Sequence, residues 1–199
     1  MMEPHVVLVN ERDEPQGTMG KLEAHQRGLL HRALSVFLFD GEGRMLLQRR
    51  ALDKYHGGGL WSNAVCSHPL PEEAVDAAAV RRLREELGIE ADIQPVFSFT
   101  YRANVENGLV EHEFDHVFAG RYEGAFQLNS EEVAAVRFVS MPELEQELRD
   151  HPEHFTQWFR LIYDRVYQAL GTNHQPQTTN DKPQKTPFGV AQGNKPQHS

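Results

Sequence analysis

"PEEAVDAAAVRRLREELGI", residues 71–89, is the stretch on which the fold turns. Its apolar residues Val80, Leu83 and Leu87 recur at helical spacing and would line one face. Pro71 suits the first helical turn, Glu72 and Glu73 suit its positive end, and Gly88 suits the left-handed C-terminal position. The segment predicts a helix over 72–87, with Pro71 near its first position. The bland account of its charges is a solvated, ion-paired surface, with Arg82–Glu86 as one i, i+4 pair.

Strand patterns surround this helix. Short β-branched or aromatic runs stand at 5–10, 32–40, 44–50, 94–103, 109–121 and 136–140. Asp40-Gly41-Glu42-Gly43 and Asn107-Gly108 mark hairpins. Ser140 and Glu143 have capping-box spacing, and "PEHFTQWFRLIYDRVYQALG" (152–171) reads as a long amphipathic helix. Strands with helices between them and at the end imply an α/β or α+β sandwich, a mixed sheet flanked by helices.

Composition sets the frame. The chain has 199 residues, 39% of them hydrophobic, enough for one domain with a real core. After Gly171 large apolar residues almost vanish, so 1–171 reads as the folded domain and 172–199 as a disordered polar tail. Residues 1–171 carry 17 basic and 28 acidic side chains, a net −11, which argues against a nucleic-acid surface. No run is long enough to span a membrane, and no secretory signal opens the chain. One cysteine, Cys66, excludes an internal disulfide and suits a reducing, cytoplasmic compartment.

Several residues carry chemical meaning. Alternation along 109–121 puts Glu111, Glu113 and Asp115 on one strand face. Such a face is ordinarily solvated; the alternative is a cation site, where metal charge removes the repulsion. His25, His31 and His68 could add imidazole to that site, and the mixed nitrogen and oxygen set suits Mn, Fe or Zn, and Mg less well. Each histidine alone is more often an ordinary surface or core residue.

The helix resembles the Nudix motif: Gly, five residues, Glu, seven residues, then Arg-Glu-apolar-x-Glu-Glu-x-Gly-apolar. Glu73, Arg81, Glu85, Glu86, Gly88 and Ile89 match; Ser67 replaces the opening Gly and Arg82 replaces the first Glu after Arg81. In Nudix hydrolases three glutamates of this helix hold the metals that activate a water. An Arg in that set removes a ligand and adds a cation able to meet a diphosphate. Lys21, Arg50 and Lys54 are further candidate cations, each by itself most often a surface charge. The run Gly57-Gly58-Gly59 allows a flexible loop or a close backbone approach.

"RRALDKYHGGGLWSNAVCSHP", "FTYRA", "GLVEHEFDHVF" and "HFTQW" together resemble the type 1 isopentenyl-diphosphate isomerases, a Nudix-fold family. The likeness runs from about Lys21 to about Trp158. It implies an isomerase that shifts the double bond of isopentenyl diphosphate to give dimethylallyl diphosphate for isoprenoid synthesis. It also implies that His25, His31, His68, Glu111 and Glu113 hold one divalent ion (Mn, Zn or Mg). Cys66 and Glu113 would be the acid/base pair, Tyr101 would assist proton transfer, and Trp158 would face the substrate carbons. Glu86 and the Cys66 carbonyl would meet a second ion, Mg, which arrives with the diphosphate. Lys21, Arg50, Lys54 and Arg82 would contact that diphosphate, and residues 1–30 would contribute to the site. One feature departs from the family pattern: His25 and His31 are six residues apart, one fewer than usual.

Two other classes compete with this reading. A Nudix hydrolase of nucleoside diphosphate derivatives would share the helix, but Arg82 counts against it. A non-catalytic metal-binding domain would share the histidines and acids, yet would be indifferent to alkylation of Cys66.

Overall fold

A parallel pairing at the centre of the sheet organises the molecule. The computed structural model describes residues 4–54 and 56–171; the expected tail at 172–199 lies outside the described residues. Strand β3 (His31–Phe39) runs parallel to β8 (Val110–Arg121), with His31 opposite Glu113 and Phe39 opposite Arg121. Around this pair lie β1 (His5–Val9), β2 (Pro15–Gly20), β4 (Met45–Arg50), β5 (Trp61–Ser62), β6 (Val65–Ser67), β7 (Ile93–Asn104) and β9 (Val133–Val139). All their pairings are antiparallel, so the sheet is mixed, as expected.

The two faces of β3 bury different things. Leu34, Val36 and Leu38 pack with Ala78, Ala79, Leu83 and Leu87 of helix α2 (Val75–Leu87). Phe37 and Phe39 belong to the opposite cluster. There they join Val117 and Ala119 of β8, Leu144 of α3 (Met141–Asp150), and Phe159, Ile162 and Val166 of α4 (Gln157–Gly171). Helices thus cover both faces, which is the predicted sandwich. Leu83 is wholly buried, and its replacement by Ala would cost about 2–5 kcal/mol of stability.

Both turn signals hold. In the β3–β4 hairpin the Asp40 carboxylate accepts hydrogen bonds from the backbone N–H of Glu42 and Arg44 at 3.0 and 2.8 Å. Asn107 and Gly108 both take positive φ, 61° and 70°, between β7 and β8. Ser140 and Glu143 form the capping box of α3.

The helix starts differ from expectation. Helix α2 begins at Val75, not near Pro71. Glu72 has φ 67°, outside the helical region, and Glu73 lies in the preceding turn. The reason is a stronger partner than the helix end. The Glu73 carboxylate accepts from the Leu70 N–H at 2.8 Å and from two Arg81 nitrogens at 2.7 and 2.8 Å. Such a two-pronged contact outweighs a helix-end preference worth tenths of a kcal/mol to about 1 kcal/mol. Helix α4 begins at Gln157, because Phe155 bridges to Trp61 and the Thr156 N–H donates to the Trp61 carbonyl at 3.0 Å. The strand patterns also passed over β2, β5, β6 and a helix, α1 (Lys21–Arg27).

Candidate active site

The acidic face of β8 points inward. Glu111, Glu113 and Asp115 are 4%, 6% and 1% exposed, so the solvated reading of that face is wrong. They lie on the side of the sheet covered by α4. The register places Glu113 between His31 on β3 and Tyr101 on β7. The Tyr101 hydroxyl reaches both acids, donating toward Glu113 at 2.6 Å and Glu111 at 2.8 Å. Burial and the surrounding carboxylates push the Tyr101 pKa well above its ordinary value, so the hydroxyl keeps its proton. Burial and Glu113 likewise raise Asp115 well above the carboxylate range, while Ser35 Oγ donates to its Oδ2 at 2.7 Å. Burial opposes charge on Glu113 too. There His31 and the Tyr101 hydrogen bond prevail and hold it down to about 2.

Imidazoles gather against these acids. His25 comes from α1, His31 from the start of β3, and His68 from just after β6; His25 and His31 are wholly buried. The ligand atoms of His25, His31, His68 and Glu113 all lie within 4.8 Å of one another. His25 Nδ1 is 2.7 Å from the Lys21 carbonyl, and His31 Nδ1 is 2.8 Å from the Leu29 carbonyl. A carbonyl only accepts, so each Nδ1 carries a proton, and Nε2 is the nitrogen each ring has left to offer an ion. His68 Nε2 is 3.2 Å from His31 Nε2 and 2.9 Å from Glu113 Oε1. Carbonyl-fixed rings with Nε2 turned toward carboxylates form a donor set that fits a divalent ion.

Glu111 stands apart from that group. It falls instead in a second group with His25 and His56, again with all ligand atoms within 4.8 Å. His56 Nε2 is 3.1 Å from Glu111 Oε1. Burial lowers the His56 pKa to about 4 against the pull of Glu111, so the ring is neutral.

Cys66 faces the same side. The register of β6 against β3 sets Cys66 opposite Ser35. Its thiol donates to Asn63 Oδ1 at 2.9 Å, and the sulfur accepts from the Trp158 indole N–H at 2.9 Å. Asn63 is fixed for this role because its amide nitrogen is committed to the carbonyls of Val36 and Val65. The Trp61–Thr156 backbone bond and a 3.0 Å Ser62–Thr156 hydroxyl contact set the start of α4, which brings Trp158 over the thiol. Burial, with Asp115 adding to it, pushes the Cys66 thiol up to about 12. Iodoacetamide should therefore modify metal-free protein slowly at pH 7.5. The rate should climb about tenfold per pH unit up to about pH 11 and level off toward pH 12, since only the thiolate reacts. A plateau below pH 9, followed by mass spectrometry, would contradict this environment.

Two adjoining cavities share Lys21, Arg50, Cys66, Ser67 and His68 in their walls. The inner one, about 30 Å³, is lined by Tyr101, Glu113 and Trp158. The outer one, about 180 Å³, is walled by Lys21, Arg50, Lys54, Arg81 and Arg82. Pro4, His5 and Val6 line the outer cavity too. This is the local basic cluster that an acidic protein needs in order to hold an anion. Burial lowers Lys21 to about 8. Glu86, 3% exposed, accepts from two Arg82 nitrogens at 3.0 and 2.7 Å. Gln48 donates to Glu86 at 3.2 Å while its own buried Oε1 finds no hydrogen-bond partner among the described residues. A carboxylate beside an unanswered amide oxygen fits a hard, oxygen-seeking ion such as Mg.

The structure thus brings His25, His31, His68, Glu111, Glu113, Cys66, Tyr101 and Trp158 together on the α4 side of the sheet, with Glu111 nearer His56 than the main histidine group, while Arg82 and Glu86 come from α2 on the other side and line the outer cavity with Lys21, Arg50 and Lys54. The sequence pattern assigns no role to His56, Ser35, Asn63, Gln48 or Glu132. Glu132 ion-pairs with Lys54 and, at 3.3 Å, with Arg82. For His56 the one available signal was the glycine run that follows it.

Fold and site together define a Nudix protein: the NUDIX domain family model matches residues 29–159. Solved structures agree on the fold. The Deinococcus radiodurans protein DR0079 superposes with a TM-score of 0.61 at 21% identity, covering 74% of this chain and 90% of that one. A MutT protein from Methanosarcina mazei gives 0.57 at 19% identity, covering 73% and 96%. Sequence relatives narrow the family. The chain is 49% identical to Isopentenyl-diphosphate Delta-isomerase 2 of Aromatoleum aromaticum, over 86% of this chain and 91% of that one. It is 49% identical to the Isopentenyl-diphosphate Delta-isomerase of Burkholderia multivorans, over 83% and 94%. The chain belongs to the isopentenyl-diphosphate Delta-isomerase family.

Proposed function

We propose that this protein interconverts isopentenyl diphosphate and dimethylallyl diphosphate, with Cys66 and Glu113 as its acid/base pair. The observation that carries the reading is the meeting of the two in one small cavity with Tyr101 and Trp158, beside a cavity walled by cations. The diphosphate binds Lys21, Arg50, Lys54 and Arg82, which leaves the hydrocarbon end to enter the inner cavity. One member of the pair delivers a proton to the terminal CH₂ carbon, and the double-bond electrons form the new C–H bond. The neighbouring carbon becomes a tertiary cation. The other member then removes a proton from the adjacent CH₂, whose C–H electrons become the new double bond. Protons and charge balance, and no co-reactant is consumed.

Each wall residue has a physical task. Tyr101 steadies the Glu113 carboxylate and can relay its proton. Trp158 offers an aromatic face to the cation, an interaction worth about 2 kcal/mol when desolvated. That face already suits positive charge, since the Arg50 guanidinium sits 5.2 Å from the ring centre. Burial keeps out water, which would otherwise capture the cation.

His25, His31, His68, Glu111 and Glu113 would hold one divalent ion (Mn, Zn or Mg), and Glu86 with the Cys66 carbonyl would meet an Mg that arrives with the diphosphate. Such ions supply positive charge that steadies buried carboxylates and diphosphate oxygens. Among the described residues no helix is long and apolar enough to cross a membrane. The free thiol of Cys66 fits a reducing cytoplasm. Residues 1–171 act as one functional unit, to which the N-terminal segment contributes Pro4, His5 and Val6 in the wall of the outer cavity.

The test is direct. Full-length protein loaded with Mg and Mn should convert isopentenyl diphosphate to dimethylallyl diphosphate, read by proton NMR. It should release no phosphate from nucleoside diphosphate derivatives. Absence of isomerisation by metal-loaded protein would overturn the proposal, and phosphate release would restore the hydrolase reading.

Glu132 predicts a second result. It occupies Lys54 and Arg82, two cations the diphosphate needs. Glu132→Gln should tighten pyrophosphate binding to metal-free protein by about tenfold, the effect of removing one nearby like charge. Calorimetry showing unchanged or weaker affinity would contradict this competition.

A further inference from the structure

We propose that His56 is a ligand of the buried metal site, so that four imidazoles and two carboxylates converge on the ion. A glycine loop delivers this imidazole. His56 precedes Gly57, Gly58 and Gly59, and the backbone takes φ 59° at Gly57 and 77° at Gly59. A side chain at Gly58 would strike the Leu52 carbonyl at 2.4 Å, and one at Gly57 would meet Arg50 Nε at 3.2 Å. Only glycine permits this tight course. The loop is also tied down on either side of the imidazole. Arg50 donates to the His56 carbonyl at 3.2 Å, and the Gly57 N–H donates to Glu106 at 3.1 Å.

The result is a histidine that is 5% exposed and faces into the site. Its Nε2 lies 3.1 Å from Glu111 Oε1, while His25 Nε2 lies 3.7 Å from the same oxygen. The His25 and His56 ring centres are 5.7 Å apart, and His25 also belongs to the group of His31, His68 and Glu113. The two donor groups therefore share a corner. Without His56, Glu111 has one imidazole partner and stands off from the main group. With it, the second group is complete, and one bound ion would draw both groups, joined at His25, around a common centre. Six nitrogen and oxygen donors match the octahedral preference of ions such as Mn(II) and Fe(II).

This inference rests on the metal site described above, but not on isomerase turnover, and its test is spectroscopic. Cobalt(II) is loaded into full-length protein labelled with ¹⁵N-histidine, and paramagnetically shifted imidazole resonances are counted. Wild type should show four coordinated imidazoles, and His56→Gln should show three. Chelator competition should show cobalt held at least tenfold more weakly by the variant. Three coordinated imidazoles in wild type overturn the proposal, and so does an unchanged count in His56→Gln. Because the wild-type count is decisive alone, a variant that fails to fold does not shelter the idea. A wild-type protein with four coordinated imidazoles but no isomerisation would sink the enzymatic reading and leave this one standing.

Discussion

Glu113→Gln should lower turnover of isopentenyl diphosphate by about 10²- to 10⁴-fold, the range expected when a positioned acid or base is removed. Glutamine keeps the shape of the side chain and can still accept from Tyr101. It cannot take up or release a proton at the reacting carbon. The loss should fall on kcat, because the diphosphate contacts come from Lys21, Arg50, Lys54 and Arg82 in the outer cavity. The fold should persist. Glu113 shares its buried strand face with Glu111 and Asp115, but His31 and Tyr101 hold its pKa down to about 2, so the charged form stabilises the fold at neutral pH and its removal costs stability. Unfolding in chelator at pH 7 should show a destabilisation of about 1–3 kcal/mol, a cost a folded domain can bear. Metal content is measured alongside. A metal-loaded variant that turns over within tenfold of wild type would remove Glu113 from the acid/base pair.

Cys66→Ala should cause a loss of the same order, about 10²- to 10⁴-fold in kcat. Its structural cost should be small, because the neighbours of the thiol have other partners. The Trp158 N–H also donates to Ser62 Oγ at 3.0 Å, and Asn63 Oδ1 also accepts from the Ser62 hydroxyl at 3.1 Å. Thermal unfolding should report a destabilisation of about 1 kcal/mol. Pyrophosphate affinity should be unchanged. If the variant keeps wild-type turnover, the thiol is a packing residue. If pyrophosphate binding falls as well, the variant has disturbed the pocket, and kcat alone cannot be assigned to the thiol.

Much of this site was legible from local pattern. Strict alternation put Glu111, Glu113 and Asp115 on one face, and β8 keeps that alternation. Alternation does not say which face is buried. That was decided by α4, which covers the acidic side through Phe159, Ile162 and Val166. Helix α2 was read from Leu83 and Leu87, but its first turn was misplaced because Glu73 found Arg81 eight residues on. His56 left almost no trace: a single histidine before three glycines has no period, and its inward turn depends on the backbone course around Leu52 and Arg50. Strands β5 and β6 are two and three residues long, too short for a periodic signal, yet β6 sets Cys66 against Ser35.

What the sequence determined by itself was chemical kind and strand phase: the acids, imidazoles, thiol and cations available, and the side of each long element on which they would lie. These follow from covalent geometry, which repeats every 2 residues in a strand and 3.6 in a helix. What only the tertiary structure decided was convergence. The parallel β3–β8 register set His31 beside Glu113, the short β6 strand turned Cys66 inward, and the glycine loop delivered His56 to Glu111. Those contacts join residues far apart in the chain. Their geometry depends on how whole elements pack, which no local window encodes.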